Sequence, residues 1–261
     1  MLLSSLTMCD APHTEYVSHA KGLPMRKPAY VLGVLAAGLL TAAATVPTAA
    51  AAASAGSAPL AGSAALPTLS VNSPTGPPVN PGDVLNSSLT TGTVLSLTTS
   101  PGGGVGLFCK QSSWQATALS NPPVGGPAIS RLTLMTIASC TDNNPGVASV
   151  SGAGVANLPD MLQVIGTGSF PVQILPSGAP LQIVVTLVLS TGATTVCTYQ
   201  SNPPINGNTG LGSVPWSFTN QNFSLTAGPL PFCGTTPTDY FSASYSPVTD
   251  LTQAGGNVYV N

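Results

Sequence analysis

Apolar and polar residues alternate over short stretches in the last two thirds of the chain. The clearest stretch runs from Leu181 to Leu189, where every second residue is Leu, Ile or Val, which is the period of a half-buried strand. Similar patterns predict further strands at 93–98, 105–109, 114–119, 131–138, 161–165, 194–199, 214–218, 241–245 and 258–260. Start and stop signals of helices are almost absent, so we expect an all-β protein.

Turns rich in Pro, Gly and Asn separate the predicted strands, as at Asn121-Pro-Pro and Asn202-Pro-Pro. Proline cannot donate a hydrogen bond to a strand ladder, and it disfavours helical geometry in the residue before it. About ten short strands at this spacing predict an antiparallel β-sandwich, immunoglobulin-like or related, and an antiparallel barrel is the alternative.

The first third of the chain has a different composition. From Met25 a cationic start, an apolar run and small residues ending at Ala55 are typical of a secretory signal peptide. We expect a signal peptide at 25–55, with residues 1–24 as a mis-assigned upstream segment. We also expect a flexible linker rich in Ala, Ser, Gly and Pro at 56–79 and a secreted domain at 80–261. Cleavage of the signal leaves no predicted membrane span.

Charged residues are rare. The whole chain has 5 Lys plus Arg and 7 Asp plus Glu, which is 5% of its residues, against roughly 25% in ordinary soluble domains. After residue 55 the cations are Lys110 and Arg131. Nucleic acid is therefore not an expected partner, because phosphate binding needs clusters of Lys and Arg.

Four cysteines follow the predicted signal: Cys109, Cys140, Cys197 and Cys233. An even number in an exported chain predicts disulfides, and four cysteines allow three connectivities. We favour Cys109–Cys140 and Cys197–Cys233, because each half of the domain then has its own bridge. No Cys-x-x-Cys motif occurs, and a zinc site is not expected.

Residue types that usually carry catalysis are missing from the predicted mature chain. His13, His19 and Glu15 all precede residue 25, so a Ser-His-Asp or Cys-His arrangement is not available there. We expect no enzyme activity and no cofactor. The remaining enzymatic alternative is a hydrolase that uses paired aspartates, although no motif marks such a pair.

The segment Thr141-Asp-Asn-Asn-Pro-Gly places several side-chain oxygens in one loop. Such oxygens suit calcium, but the spacing is not that of an EF-hand and the segment has a single carboxylate. We therefore favour an Asx turn at this position and predict no metal site.

Aromatic residues are concentrated in the last third of the chain, and Trp114 and Trp216 are the candidate ligand-stacking residues. The function that we expect is a non-enzymatic extracellular or cell-surface module. Its partner would be a neutral glycan, the cell wall or another extracellular protein. A small-molecule carrier with an apolar cavity is the first alternative, and the aspartate hydrolase is the second.

Several short motifs along residues 81–261 resemble those of a group of small secreted actinobacterial proteins. They are Leu89-Thr-Thr-Gly-Thr, Leu107-Phe-Cys, Leu132-Thr-Leu with Ser139-Cys-Thr, Asn157-Leu-Pro, Phe218-Thr-Asn-Gln-Asn-Phe, Phe241-Ser-Ala-Ser-Tyr with Val248-Thr-Asp, and Val258-Tyr-Val-Asn. The resemblance implies an exported β domain with two disulfides, and it provides no catalytic residue. The exported β-sandwich carriers of enediyne chromophores are similar at the level of fold alone.

Overall fold

The computed structural model describes residues 65–261, which contain no helix and form fourteen β-strands. In chain order these are β1 Leu69–Val71, β2 Val84–Leu89, β3 Leu95–Thr98, β4 Gly106–Ser120, β5 Pro127–Asp142, β6 Val147–Ala156, β7 Asp160–Ile165, β8 Pro171–Leu175, β9 Gln182–Leu189, β10 Thr194–Ser201, β11 Ile205–Asn208, β12 Trp216–Ala227, β13 Thr238–Asp250 and β14 Gly256–Val260. The all-β prediction is confirmed.

Eight of these strands close into an antiparallel barrel. Their order is β13, β2, β4, β5, β7, β8, β11 and β12, and β12 pairs again with β13. The barrel is thus the second of the two architectures that the sequence predicted. Closure removes most of the free strand edges that an open sheet would present.

The remaining strands lie outside the barrel. β10, β9 and β6 continue the sheet from the later half of β12, and β3 pairs with both β13 and β4. Together with the first part of β4, the last part of β5 and the first part of β13, they form what we call the second lobe. β14 and β1 extend the sheet from β13 on the other side.

The long strands β4 and β5 belong to both the barrel and the second lobe. Where each strand leaves one for the other, the set of residues that points into the interior shifts by one position. In β4, Leu107 and Cys109 are buried, Lys110 and Gln111 are both exposed, and the buried series resumes at Ser112. A strand buries every second residue on one face, so two exposed neighbours mark the shift from one interior to the other. β5 has the same kind of interruption at 138–139, opposite Gln111 of β4.

Both disulfides lie in the second lobe and have the favoured pairing. Cys109 and Cys140 are directly opposite each other on β4 and β5, with Cα atoms 3.9 Å apart. Cys197 on β10 is joined to Cys233 in the loop before β13, with a Cα separation of 5.5 Å. Bridges that close loops of 31 and 36 residues stabilise a fold by roughly 3–4 kcal/mol each in the loop-entropy description.

The structure corrects several boundaries predicted from the sequence. The folded unit begins before residue 80, because Leu69 and Val71 in β1 pair with β14 and are buried along with Val79. This part of the predicted linker is therefore folded, and three residues are too few to show a strand period. The predicted strands 105–109 and 114–119 are one strand, β4. β1, β2, β6, β8 and β11 were missed. The predicted upstream segment and signal peptide lie outside the described residues.

Across residues 65–261 the structure contains no helix with the length and apolar character needed to cross a membrane.

Candidate functional site

The two candidate stacking tryptophans lie inside the barrel. Trp114 and Trp216 are 4% and 2% exposed, and their rings stack with centroids 5.4 Å apart. Tyr245 meets Trp114 edge-on at 6.5 Å, and its hydroxyl is 3.0 Å from Ser112 Oγ. In this conformation neither indole is available to a ligand on the surface, and the two rings fill the barrel core instead.

An apolar cavity lies beside these rings, between Leu132, Met135, Leu162 and Phe241. Its volume is about 20 Å³, which is close to the space that one water molecule needs. Pockets for small-molecule ligands have volumes of roughly 300–1,000 Å³. A carrier function would therefore require the barrel to open, and the structure gives that alternative little support.

A larger space lies on the outside of the barrel, where β2 and β3 separate along β4. This groove has a volume of about 390 Å³. Its polar lining includes Ser88, Lys110, Gln111, Ser113 and Thr136. Ser113 Oγ and Thr136 Oγ1 are 2.8 Å apart across β4 and β5. We call this space the β4 groove.

A second open space lies on the other side of the last part of β5, between β5 and β6. It has a volume of about 370 Å³ and is lined by residues 137–140 and 150–153. In the described part of the chain, residues 133–142 of β5 have a strand partner on the β4 side alone, and β6 is paired with β9 alone. We call this space the β5–β6 groove. Ala138 lines both grooves.

Apart from Lys110, the side chains that line the two grooves are uncharged, and the polar ones can form hydrogen bonds. Ser and Thr hydroxyls and the Gln amide can each donate and accept, and the unpaired edges of β5 and β6 add backbone groups. Lys110 is the one charged side chain that lines either groove. Such a surface suits a ligand that is itself rich in hydroxyl or amide groups.

The structure also contains a pair of aspartates that the sequence did not reveal. Asp83, just before β2, and Asp250, at the end of β13, are 6% and 0% exposed. Gln253 contacts both: its Nε2 donates to Asp83 Oδ2 at 2.8 Å and its backbone N–H donates to Asp250 Oδ1 at 3.1 Å. Asn80 N–H also donates to Asp83, and Thr252 N–H donates to Asp250.

The two carboxyl groups of this pair have opposite pKa shifts. Burial raises the pKa of Asp250, and the charge of Asp83 raises it further. Burial also acts to raise the pKa of Asp83, but the hydrogen bonds from Asn80 and Gln253 outweigh it, so that pKa lies below its usual value. Asp250 is therefore the carboxyl group of the pair that binds a proton first as the pH falls. Asp250 Oδ2 is buried without a hydrogen-bond partner among the described residues. Because both carboxyl groups nevertheless bind local turn groups, the arrangement acts as a structural clasp.

A different acidic cluster lies at one end of the second lobe. Asp142 Oδ1 accepts the N–H of Asn144 at 2.7 Å, which is the predicted Asx turn. Burial raises the pKa of Asp239 to about 7, and the charge of Asp142 adds to the shift. Burial also raises the pKa of Tyr199, with contributions from both aspartates. The described residues contain no group of three or more His, Cys, Asp or Glu arranged to hold a metal ion.

Comparison with known proteins adds no family or relative. No protein-family model matches the chain, and no curated protein or solved structure is significantly similar to it.

The candidate grooves could not be identified from the sequence, because their walls come from separated strands. One signal was nevertheless present. Lys110 and Gln111 are consecutive polar residues directly after an apolar run that ends at Cys109, and they mark the place where β4 leaves the second lobe.

Proposed function

We propose that this chain is a non-catalytic extracellular binding module, and that the β4 groove and the β5–β6 groove hold a neutral, hydroxyl-rich polymer such as a cell-wall glycan. The observation that carries the proposal is the pair of open grooves on the two sides of β5, in which Lys110 is the one charged lining side chain. Two disulfides agree with an oxidising, extracellular environment.

The lining groups match the chemistry of sugars. Sugar hydroxyls both donate and accept hydrogen bonds, as do the exposed side chains of Gln111 and Thr136. Binding of this kind depends little on ionic strength, because it does not rest on ion pairs. We therefore expect binding to insoluble wall material that persists at high salt.

A single substitution can obstruct the strand position that the two grooves share. Ala138 is exposed and lines both, so Ala138→Arg places a long side chain at their common wall without removing a side-chain hydrogen bond. Ala227→Arg is the matched control, because Ala227 is exposed at the end of β12 and lines neither groove. Co-sedimentation with purified wall glycan should be lost in Ala138→Arg and kept in Ala227→Arg. Equal binding by both variants would contradict the proposal.

The unpaired edges of β5 and β6 favour a second candidate, which is a protein partner that adds an extended segment to one edge. Treatment of the wall material with a protease separates the two candidates. Binding that survives the treatment supports a glycan, and binding that disappears supports a protein partner.

A further inference from the structure

The acidic cluster at the end of the second lobe combines residues from two distant parts of the sequence. Asp142 and Asn144 belong to the end of β5 and the turn after it, and Asp239 is the second residue of β13. Asn144 and Asp239 are 3% and 2% exposed. The sequence segment 141–146 has one carboxylate, and the fold supplies the second.

Strand register shows that the two aspartates face the same interior. Asp142 lies opposite Leu107 on β4, Leu107 opposite Leu97 on β3, and Leu97 opposite Phe241 on β13. Residues opposite each other in adjacent strands share a face, and so do residues two apart in one strand. Asp239, two residues before Phe241, therefore points to the same side as Asp142.

The loop before β13 packs against both parts of the cluster. A Cβ atom placed on Gly234 would lie 3.4 Å from both carboxylate oxygens of Asp239. A Cβ atom placed on Gly146, in the turn that contains Asn144, would lie 2.7 Å from Cε1 of Phe232. The loop thus spans the distance between Asp239 and the 143–146 turn and covers the cluster from one side.

Two oxygens of the cluster lack a donor. Among the described residues, Asn144 Oδ1 and Asp239 Oδ2 are buried without a hydrogen-bond partner. Tyr199 approaches the cluster, but its hydroxyl donates to the carbonyl of Cys233 at 2.9 Å. No Lys or Arg contributes to the pKa of either aspartate. Buried carboxylate and amide oxygens without donors are costly in free energy unless a positive charge binds to them.

We propose that Asp142, Asn144 and Asp239 form a binding site for a divalent cation that prefers oxygen ligands, and that this cation is Ca²⁺. Carboxylate and amide oxygens are the ligands that Ca²⁺ selects, and its flexible coordination accepts an irregular set completed by water or backbone carbonyls. Mg²⁺ demands near-octahedral geometry and releases its waters reluctantly, so it should bind less well. Two carboxylates give the low charge of a weak extracellular site, with an expected Kd on the order of 10⁻⁴ to 10⁻³ M.

The site is tested on the purified protein after removal of metal with a chelator. Titration with CaCl₂ in a calorimeter, at about pH 8 where the carboxylates are ionised, should show one binding event at sub-millimolar to millimolar concentration. Thermal unfolding should shift upward in the same range. MgCl₂ should give a smaller shift at equal concentration.

Matched variants locate the binding event. Asp239→Asn keeps the side-chain shape and should weaken Ca²⁺ binding by at least about tenfold, since affinity depends on the number of ligand charges. Asp142→Asn, at a half-buried position, should weaken binding as well. Asp160→Asn is the control, because Asp160 is 1% exposed on β7 and lies outside the cluster, and it should bind Ca²⁺ like the unsubstituted protein.

Two results would contradict the proposed Ca²⁺ site. One is the absence of both heat and thermal shift in the unsubstituted protein at millimolar Ca²⁺. The other is unchanged binding in Asp239→Asn and Asp142→Asn. Near-UV circular dichroism shows whether each variant is folded. If Asp239→Asn is not folded, the Ca²⁺ affinity of Asp142→Asn tests the site instead.

Discussion

The second lobe and the strand ends beside β14 each contain a pair of buried or half-buried aspartates, and the two pairs have different surroundings. At the strand ends, Asp83 and Asp250 receive hydrogen bonds from Asn80, Thr252 and Gln253. In the second lobe, Asn144 is the one described residue that donates hydrogen bonds to Asp142, and Asp239 receives none. A chain with two described cations cannot neutralise both pairs with Lys or Arg.

The difference shows how to distinguish a structural carboxylate from a ligand-binding one. Local donors turn the Asp83–Asp250 pair into a clasp that holds two turns. Asp250 Oδ2 is also buried without a hydrogen-bond partner among the described residues, but its Oδ1 accepts two N–H groups, and a proton on Asp250 would remove the charge repulsion. Asp239 has neither donors nor a counter-charge, so its oxygens stay available to a cation. Replacing single aspartates in the two pairs should therefore have opposite effects on stability.

The largest effect is expected for Asp250→Ala. The substitution leaves the N–H groups of Thr252 and Gln253 without their acceptor, and a buried unpaired donor costs about 1–3 kcal/mol. We expect the free energy of unfolding to fall by about 3 kcal/mol, measured by urea unfolding. A loss below about 1 kcal/mol would mean that water replaces the carboxylate and that the clasp is not structural.

The next effect has the opposite sign. Without calcium, Asp239→Asn removes a buried charge that has no partner, which should stabilise the fold by about 2 kcal/mol at about pH 8. With millimolar Ca²⁺ the order should reverse, because the unsubstituted protein alone gains binding free energy. Urea unfolding of both proteins, once with chelator and once with calcium, measures the stability difference under each condition. A destabilised variant in chelator would show that Asp239 has a structural role like that of Asp250.

Much of the fold could be predicted from the sequence, and the limits have a physical cause. The alternation at Leu181–Leu189 identified β9 to within one residue, because Ile183, Val185 and Leu187 are buried on one face of that strand. β4 and β5 were predicted incompletely, because their inward faces change between the two interiors. β6 was missed because Ser, Gly and Ala give it no apolar period, and its exposed side borders the β5–β6 groove.

The candidate sites were less predictable than the strands. The disulfide pairing followed from the distribution of cysteines along the chain, and the Asx turn at Asp142 followed from local sequence. Asp83 and Asp250 are brought together by the pairing of β2 with β13, and Asp142 and Asp239 by the pairing of β5, β4, β3 and β13 around the second lobe. Contacts between residues so far apart in sequence carry no local signal. Trp114 and Trp216 illustrate the same limit. A tryptophan that stacks on a ligand and a tryptophan in a core occupy the same kind of position in the sequence of a strand.

The smallest effect is expected for Asp250→Asn, and its pH dependence tests the shared proton. The oxygen of the introduced amide would still accept from Thr252 and Gln253, while the amide nitrogen would donate to Asp83 at every pH. In the unsubstituted protein the raised pKa of Asp250 means that the folded state binds the proton more tightly. Its contribution to stability is therefore complete below the unfolded pKa of about 4 and is lost as pH rises through the folded pKa.

The free energy of unfolding of the variant should consequently equal that of the unsubstituted protein at about pH 3. At about pH 7 it should be higher by about 1 kcal/mol. The lowered pKa of Asp83 has the opposite effect, because the stability that this carboxylate contributes is lost as pH falls through its folded pKa. Asp83 is present in both proteins, so its contribution cancels to first order when their stabilities are compared. Thermal unfolding across this pH range measures the difference. A constant difference at all pH values would show that Asp250 carries no proton in the folded protein, and the clasp would then be two ionised carboxylates held by Gln253 and the turn N–H groups alone.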